Sequence, residues 1–356
     1  MSPALDRVHG GVAAPGMIDF SVSLNPLGPP PQAIRAYQQA LSSIDRYPEP
    51  YALSLCAALA DRLDLPAQAI VAGNGSTALL YLIARVLKPR RPMVVVPTFS
   101  EIANGLALAG HPARWLALRE SAGFALLPNQ IAAALEQGAD AIFIGRPNSP
   151  TGSCLTLEEA SEIARQCQVR ECWCVFDEAF IEFADQPVSM AGLIRRYSRL
   201  VVVRSMTKIY AIAGLRLGYV AADEAVARAL SEALEPWSIG APACAVGMAC
   251  LELPAAWYEE VGRHVRVERD YLGAQLGRLD GVTVFPSRAN FLLIRAPLAA
   301  GGIGLSDYLR RRGISIRDLA AMAGAGPGLY RLGLRLRPDH DRLLAAMHEW
   351  CGQLQP

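Results

Sequence analysis

The chain has 356 residues, 52% of them hydrophobic, and a formal net charge of +1. That supplies a core for one large or two modest domains, while the near-zero net charge gives no global field for nucleic acid or an anionic membrane, so anion binding has to be local. The eight cysteines show neither zinc spacing nor a disulfide rhythm; with no leader-like N-terminus and no apolar run of about 18 residues, the expectation is a reduced, soluble, cytoplasmic protein that holds no metal.

Residues 1–31 read as an extended arm. They carry His9-Gly10-Gly11, Asp19-Phe20-Ser21 and Asn25-Pro26-Leu27-Gly28, and prolines 29 to 31 break any helix. Two glycines behind a histidine let the backbone approach a ligand closely; the plainer alternative is a flexible tail. A helical pattern over 31–43 gives way at Arg46-Tyr47-Pro48-Glu49-Pro50, which sets Tyr47 in a stiff turn, and the leucine spacing over 51–64 predicts an amphipathic helix.

Residues 69–72 form a short strand, followed by Gly73-Asn74-Gly75-Ser76-Thr77-Ala78 and a helical run. Strand, glycine-rich turn and helix together form an anion-binding arrangement, in which backbone N–H groups and the helix N-terminus face a phosphate. The same residues satisfy G-x-G-x-x-A, which keeps an NAD-dependent dehydrogenase open as an alternative. A dinucleotide fold, however, wants an acid about 20 residues on, at the end of a second strand, and residues 93–96 read Met-Val-Val-Val.

The strand at 93–96 runs out at Phe99, which is either core or a stacking surface for a flat ring. Another strand, 141–144, runs into Gly145-Arg146-Pro147-Asn148-Ser149-Pro150-Thr151-Gly152. The prolines and glycine stiffen that loop and hold Asn148 as a rigid amide able to donate to a phenolate. Thr156 and Glu159 have capping-box spacing. The strand at 172–176 ends at Asp177-Glu178-Ala179-Phe180, where a buried acid needs a partner such as a pyridinium N–H.

The apolar run Leu200 to Val203 delivers Ser205, Thr207 and Lys208, with Arg216 eight residues beyond the lysine. A lysine held where water is scarce loses cation solvation, which lowers its pKa and frees the amine to condense with an aldehyde. Nearby hydroxyls and an arginine suit a dianionic phosphate. Lysine beside a phosphate site points to pyridoxal phosphate; the bland alternative is a strand-end lysine paired with an acid.

These strands alternate with helical patterns, which predicts a wound α/β sheet with its ligand at the carboxyl ends of the strands. Beyond Val220 the pattern is helical to about Leu234, and a long helix covers 254–279. Strands are expected at 282–285, 290–294, 314–318 and 330–336, and helices at 305–312 and 339–353. Arg317 and Arg331 each lie in an apolar strand; alternation puts them on the solvent face, or else both turn into the cleft to hold a doubly anionic substrate. Arg335 shares the face of Arg331.

The set Asn148 to Gly152, Asp177 to Phe180, and Ser205-Met206-Thr207-Lys208 with Arg216 resembles fold type I pyridoxal phosphate enzymes of the class I and II aminotransferase group. Within that group the arm and the Arg-Ser-Met-Thr-Lys segment are most similar to the threonine-phosphate decarboxylase family of cobalamin biosynthesis, with histidinol-phosphate aminotransferases next. The resemblance implies a large domain over 45–240 with a mostly parallel wound sheet, a smaller α+β C-terminal domain over 241–356, and an arm and helix over 1–44 that pack with the smaller domain. It implies a carboxy-lyase acting on a phosphorylated amino acid, O-phospho-L-threonine.

By the same resemblance Lys208 carries the cofactor, Asp177 pairs with the ring nitrogen, Asn148 and the Phe180 position flank the phenolic oxygen, and Phe99 stacks on the ring. Phe180 stands where the aminotransferases usually place a tyrosine. Gly75, Ser76, Thr77, Ser205, Thr207 and Arg216 surround the cofactor phosphate, and Tyr47 reaches it from the second subunit of a homodimer. His9, Gly10, Asn25, Asn148, Arg317 and Arg331 take the substrate.

Overall fold

The structure is a computed structural model that describes residues 9–11, 13–298 and 303–353. The expected arm residues 1–8 and the C-terminal residues 354–356 lie outside that set. In chain order the first half runs β1 (Ile18–Asp19), α1 (Pro31–Ala40), α2 (Leu53–Leu63), β2 (Ile70–Gly73), α3 (Gly75–Leu87), β3 (Pro92–Val96), α4 (Ser100–Leu108), β4 (Arg114–Ala117), α5 (Pro128–Glu136), β5 (Ala141–Gly145) and α6 (Leu157–Val169). It continues with β6 (Trp173–Asp177), β7 (Leu200–Ser205), α7 (Met206–Ile209), β8 (Gly218–Ala222), α8 (Glu224–Glu232), α9 (Ala241–Leu251) and α10 (Ala255–Leu276). The remainder is β9 (Thr283–Val284), β10 (Phe291–Arg295), α11 (Leu305–Arg311), β11 (Ile314–Ser315), β12 (Arg317–Asp318), β13 (Leu329–Gly333) and α12 (Arg337–Gly352).

Seven strands form the main sheet in the order β2-β8-β7-β6-β5-β3-β4. All but β8 run the same way, because β8 pairs antiparallel with both β2 and β7 while the other pairs are parallel. Alternate residues feed opposite faces: Val202, Ile144 and Phe176 enter one apolar layer, and Val201, Val203, Phe143 and Val175 the other. Helices cover both faces, the condition under which a parallel sheet is stable, and this is why β5, β6 and β7 read as unbroken apolar runs. A second sheet, β12-β13-β10-β9, is antiparallel. No helix among the described residues is long and apolar enough to cross a membrane.

Three departures from the sequence expectation have physical causes. Ala221 and Ala222, expected to open a helix beyond Val220, instead complete strand β8; alanine suits either state, and pairing on both sides with β7 and β2 decides. The helix begins only after Asp223, whose carboxylate accepts from the N–H of Ala225 at 3.0 Å. The expected strand over 314–318 is broken in two: Ile314 and Ser315 pair in parallel with the arm at Ile18 and Asp19, while Arg317 and Asp318 turn to pair with β13. Strand β4, where no strand was expected, lies at the sheet edge with its short run Trp115-Leu116-Ala117 mostly exposed.

The capping box forms as spaced: Thr156 Oγ1 accepts from Glu159 N at 3.2 Å, and Glu159 Oε2 accepts from Thr156 N at 2.8 Å. The arm is seated rather than loose between residues 18 and 25. Phe20 O accepts from Gly333 N at 2.8 Å, Leu24 O accepts from Asn290 Nδ2 at 3.0 Å, and a Cβ on Gly333 would fall 1.9 Å from Val22 O.

Candidate active site

Where the parallel strands end, their connecting turns enclose a cavity of 660 Å³. Strand β2 leads to Ser76 and Thr77, β3 to Thr98, Phe99 and Glu101, β5 to Pro147 and Ser149, β6 to Asp177 and Phe180, and β7 to Thr207 and Lys208. The second sheet closes the far side with Arg317 and Arg331, and the arm adds His9, Gly10 and Ser21. This is the carboxyl-end crevice expected of an open α/β sheet.

Lys208 sits in the single turn of α7 that follows the fully buried β7. Burial, reinforced by Arg331 and Arg216, pushes its amine down to about 8, against the pull of Asp177. Asp177 is pushed up to about 6 by burial, although the N–H of Ala179 and the charge of Lys208 oppose that. The lysine Nζ stands 6.0 Å from the Phe180 ring, which in turn packs edge-on against Phe291 at 5.1 Å. Amine and carboxylate therefore share one cavity and one electrostatic environment.

Opposite them lies an anion cradle. Gly75 has φ +82, and a Cβ there would come 2.8 Å from Arg216 Nη2, so only glycine lets the guanidinium close on the N-terminus of α3. At the end of β7, Ser205 Oγ and Thr207 Oγ1 are 2.8 Å apart. Backbone donors, the positive end of a helix, hydroxyls and a guanidinium are the donor set that a phosphate requires.

Arg317 and Arg331 are directly opposite in the β12–β13 register, so both guanidiniums lie on one face, and that face is the cavity rather than solvent. Arg331 donates to Ser149 Oγ at 2.9 Å and to Ser21 O at 2.6 Å, while its Nε is buried with no hydrogen-bond partner among the described residues. Burial and the neighbouring Arg317 push Arg331 down to about 10. Four cationic side chains, Lys208, Arg216, Arg317 and Arg331, thus face two carboxylates, Asp177 and Glu101, and such a balance selects a polyanionic occupant.

Several expected residues are placed differently. Asn148 does not line the cavity: its Oδ1 accepts from Thr98 Oγ1 at 2.7 Å, and its Nδ2 donates to Pro97 O at 2.8 Å and Thr151 Oγ1 at 2.9 Å. With both polar atoms engaged in bracing the loop, the residue it presents to the cavity is Ser149. Asn25 is buried and acts behind the site, donating its side-chain N–H to Ile209 O at 2.9 Å and its backbone N–H to Lys208 O at 3.0 Å. Arg335 turns away to pair with Asp339 at 3.1 Å.

Tyr47 is 84% exposed, in tilted ring contact with Trp237 at 5.2 Å, and does not line the cavity. Arg146 is a buried structural cation, 2.8 Å from Glu178. Sequence reasoning assigned no role to Glu101, Ser149 or Tyr81, which also line the cavity; the position of Glu101 at the exit of β3 was the available signal.

The model of the family "Aminotransferase class I and II" matches residues 15–336. A threonine-phosphate decarboxylase from Salmonella typhimurium is 36% identical over 347 residues, covering 97% of this chain and 94% of that protein. Among solved structures, the L-threonine-O-3-phosphate decarboxylase from Porphyromonas gingivalis superposes with a TM-score of 0.84 at 25% identity, covering 94% of this chain and 100% of that one. The histidinol-phosphate aminotransferase from Clostridium acetobutylicum gives 0.87 at 26% identity, covering 95% and 100%.

Proposed function

Because the chain belongs to the class I and II aminotransferase family, we propose that it is a pyridoxal-phosphate-dependent carboxy-lyase that converts O-phospho-L-threonine to (R)-1-aminopropan-2-ol O-phosphate and CO2 in cobalamin biosynthesis. The observation that carries this reading is the pairing of Lys208 and Asp177 in one cavity with more cationic groups than a single phosphate needs. The cofactor phosphate accounts for Arg216 and the α3 turn, and a substrate that is both carboxylate and phosphate accounts for Arg317 and Arg331. The Salmonella relative's name gives the same substrate.

The residues fit the cofactor on three grounds: an amine brought to about 8 beside the cavity, a carboxylate at the end of β6, and the Gly75–Arg216 cradle. Lys208 would hold the aldehyde carbon, Asp177 the ring N–H, Phe99 a face of the ring with Phe180 beside the phenolic oxygen, and Ser76, Thr77, Ser205, Thr207 and Arg216 the phosphate. When bound, the pyridoxal ring supplies the sink for the electron pair left behind as CO2 departs. The chain's own work is orientation and proton handling. Arg331, braced by Ser149 and Ser21, fixes the substrate carboxylate; His9 and Arg317 take the phosphate; the Lys208 amine holds the proton that replaces CO2 at Cα.

Asn25, through Lys208 O and Ile209 O, sets where that amine stands. Tyr47, solvent-facing in one protomer, would reach the phosphate of a second copy, making the working unit a homodimer.

A second reading, a histidinol-phosphate aminotransferase, has the Clostridium likeness in its favour. A steady-state assay separates the two. CO2 release from O-phospho-L-threonine with no 2-oxo acid present supports the decarboxylase, and Lys208→Ala should lower it by at least about 10³-fold. Turnover that requires 2-oxoglutarate would overturn it.

A further inference from the structure

Glu101 opens α4 on the cavity wall and is only 9% exposed. A carboxylate so placed needs partners, and two come from the helices around it: Tyr81 on α3 donates its hydroxyl to Oε2, and Asn104, one turn along α4, donates to Oε1 at 2.9 Å. These fix the carboxylate's orientation before any ligand arrives. The third partner comes from outside the sheet, His9 Nε2 at 3.0 Å. The proposed chemistry already draws its acid from Asp177 and its cations from the lysine and arginines, and leaves Glu101 unused.

We propose that Glu101 is a positioning residue: its fixed carboxylate fastens the N-terminal arm across the cavity through His9 and thereby completes the substrate side of the site. The two residues after His9 show how closely the arm is fitted. A Cβ on Gly10 would lie 2.3 Å from Ser21 O, and Gly11 N donates to Ser21 Oγ at 2.9 Å. Ser21 O in turn accepts from Arg331. The chain of contacts runs from Glu101 to His9, through Gly10 and Gly11 to Ser21, and from Ser21 to the guanidinium assigned to the substrate carboxylate. Freeing His9 lowers the fraction of molecules whose arm is seated, and apparent substrate affinity falls by that fraction, while the reacting atoms and their proton donor are untouched.

The assignment rests on the reading of His9 and Arg331 as substrate contacts, and the test separates the two ideas. Amide hydrogen exchange is followed on the pyridoxal-phosphate-loaded protein without substrate, for the peptide containing residues 9–11. Glu101→Ala and His9→Ala should each speed exchange there by about tenfold, with Glu101→Gln, which keeps an acceptor oxygen, in between. In steady state Glu101→Ala should raise KM for O-phospho-L-threonine by about tenfold and leave kcat within about twofold. Unchanged exchange in a Glu101→Ala protein with the wild-type circular dichroism overturns the anchor; faster exchange with an unchanged KM overturns its link to substrate. Should Glu101→Ala fail to fold, unchanged exchange in His9→Ala overturns the anchor alone. A wild-type protein that releases no CO2 defeats the decarboxylase reading while the exchange measurement still decides the anchor.

Discussion

Lys208 and Asp177 shift in opposite directions for one cause, the loss of water around each charge. The lysine's folded value of about 8 lies below its ordinary 10.5, so between those limits the unfolded chain binds more protons and stability rises with pH. Asp177, raised from 3.8 to about 6, stabilises below its ordinary value and loses that contribution as pH climbs to 6. Without cofactor, both groups are charged and buried between about pH 6 and 8, where the site costs the fold most. Cofactor-free Lys208→Met should accordingly exceed wild type in stability at pH 7 by about 2–3 kcal/mol at most, and the gap should shrink to under about 1 kcal/mol by pH 10. Chemical denaturation at several pH values checks this; parallel curves from 8 to 10 would rule it out.

At this scale the sequence was most informative where one residue type has few uses, as with a lysine at the exit of a buried strand. It misled by one position at Asn148. A stiff loop and an amide were both correctly read, but which of two adjacent polar residues faces the cavity depends on Thr98 and Pro97, about fifty residues earlier, and no local pattern encodes that.

Strands that are buried on both faces announced themselves as apolar runs, and helices did so through spacing and caps. The Thr156 box illustrates the local kind of evidence: two reciprocal bonds within four residues, independent of the rest of the chain. Thr156→Ala should cost about 1 kcal/mol, visible as a lower denaturation midpoint with an unchanged slope and unaltered kcat; no change in the midpoint would show α6 indifferent to its cap.

Elements defined by a partner stayed hidden. Strand β8 needed β7 and β2, the break that separates β11 from β12 inside the expected strand needed the arm, and β4 needed only an edge to hydrogen-bond to. Arg146 belongs with them: its reason is Glu178, a carboxylate with no exposed side-chain area that also accepts from Ser189 and the N–H of Met190. The Arg146 guanidinium supplies an opposite charge at hydrogen-bond distance to that buried acid.

Over the whole molecule, the cavity is assembled from two sheets and an arm, so each piece alone presents an incomplete set of charges. The proposed homodimer extends this to a second chain. Tyr47 and Trp237 form an exposed aromatic pair, and if Tyr47 serves the partner's phosphate, Tyr47→Ala should weaken cofactor retention, raising the Kd for pyridoxal phosphate by about tenfold in equilibrium dialysis while Lys208 remains competent. Retention equal to wild type, or a protein that sediments as a monomer at working concentration, would remove the second chain from the site.

The seating of residues 18–25 also bears on how the protein is made. Ser21 meets Arg331 across a separation of 310 residues, and Leu24 meets Asn290 across 266. During synthesis this stretch emerges long before either partner exists, and the wound sheet between them can collapse while it waits. Ligand affinity should therefore be the last property to appear on the way from ribosome to finished enzyme, arriving only after the C-terminal sheet has been translated and has captured a strand made near the beginning.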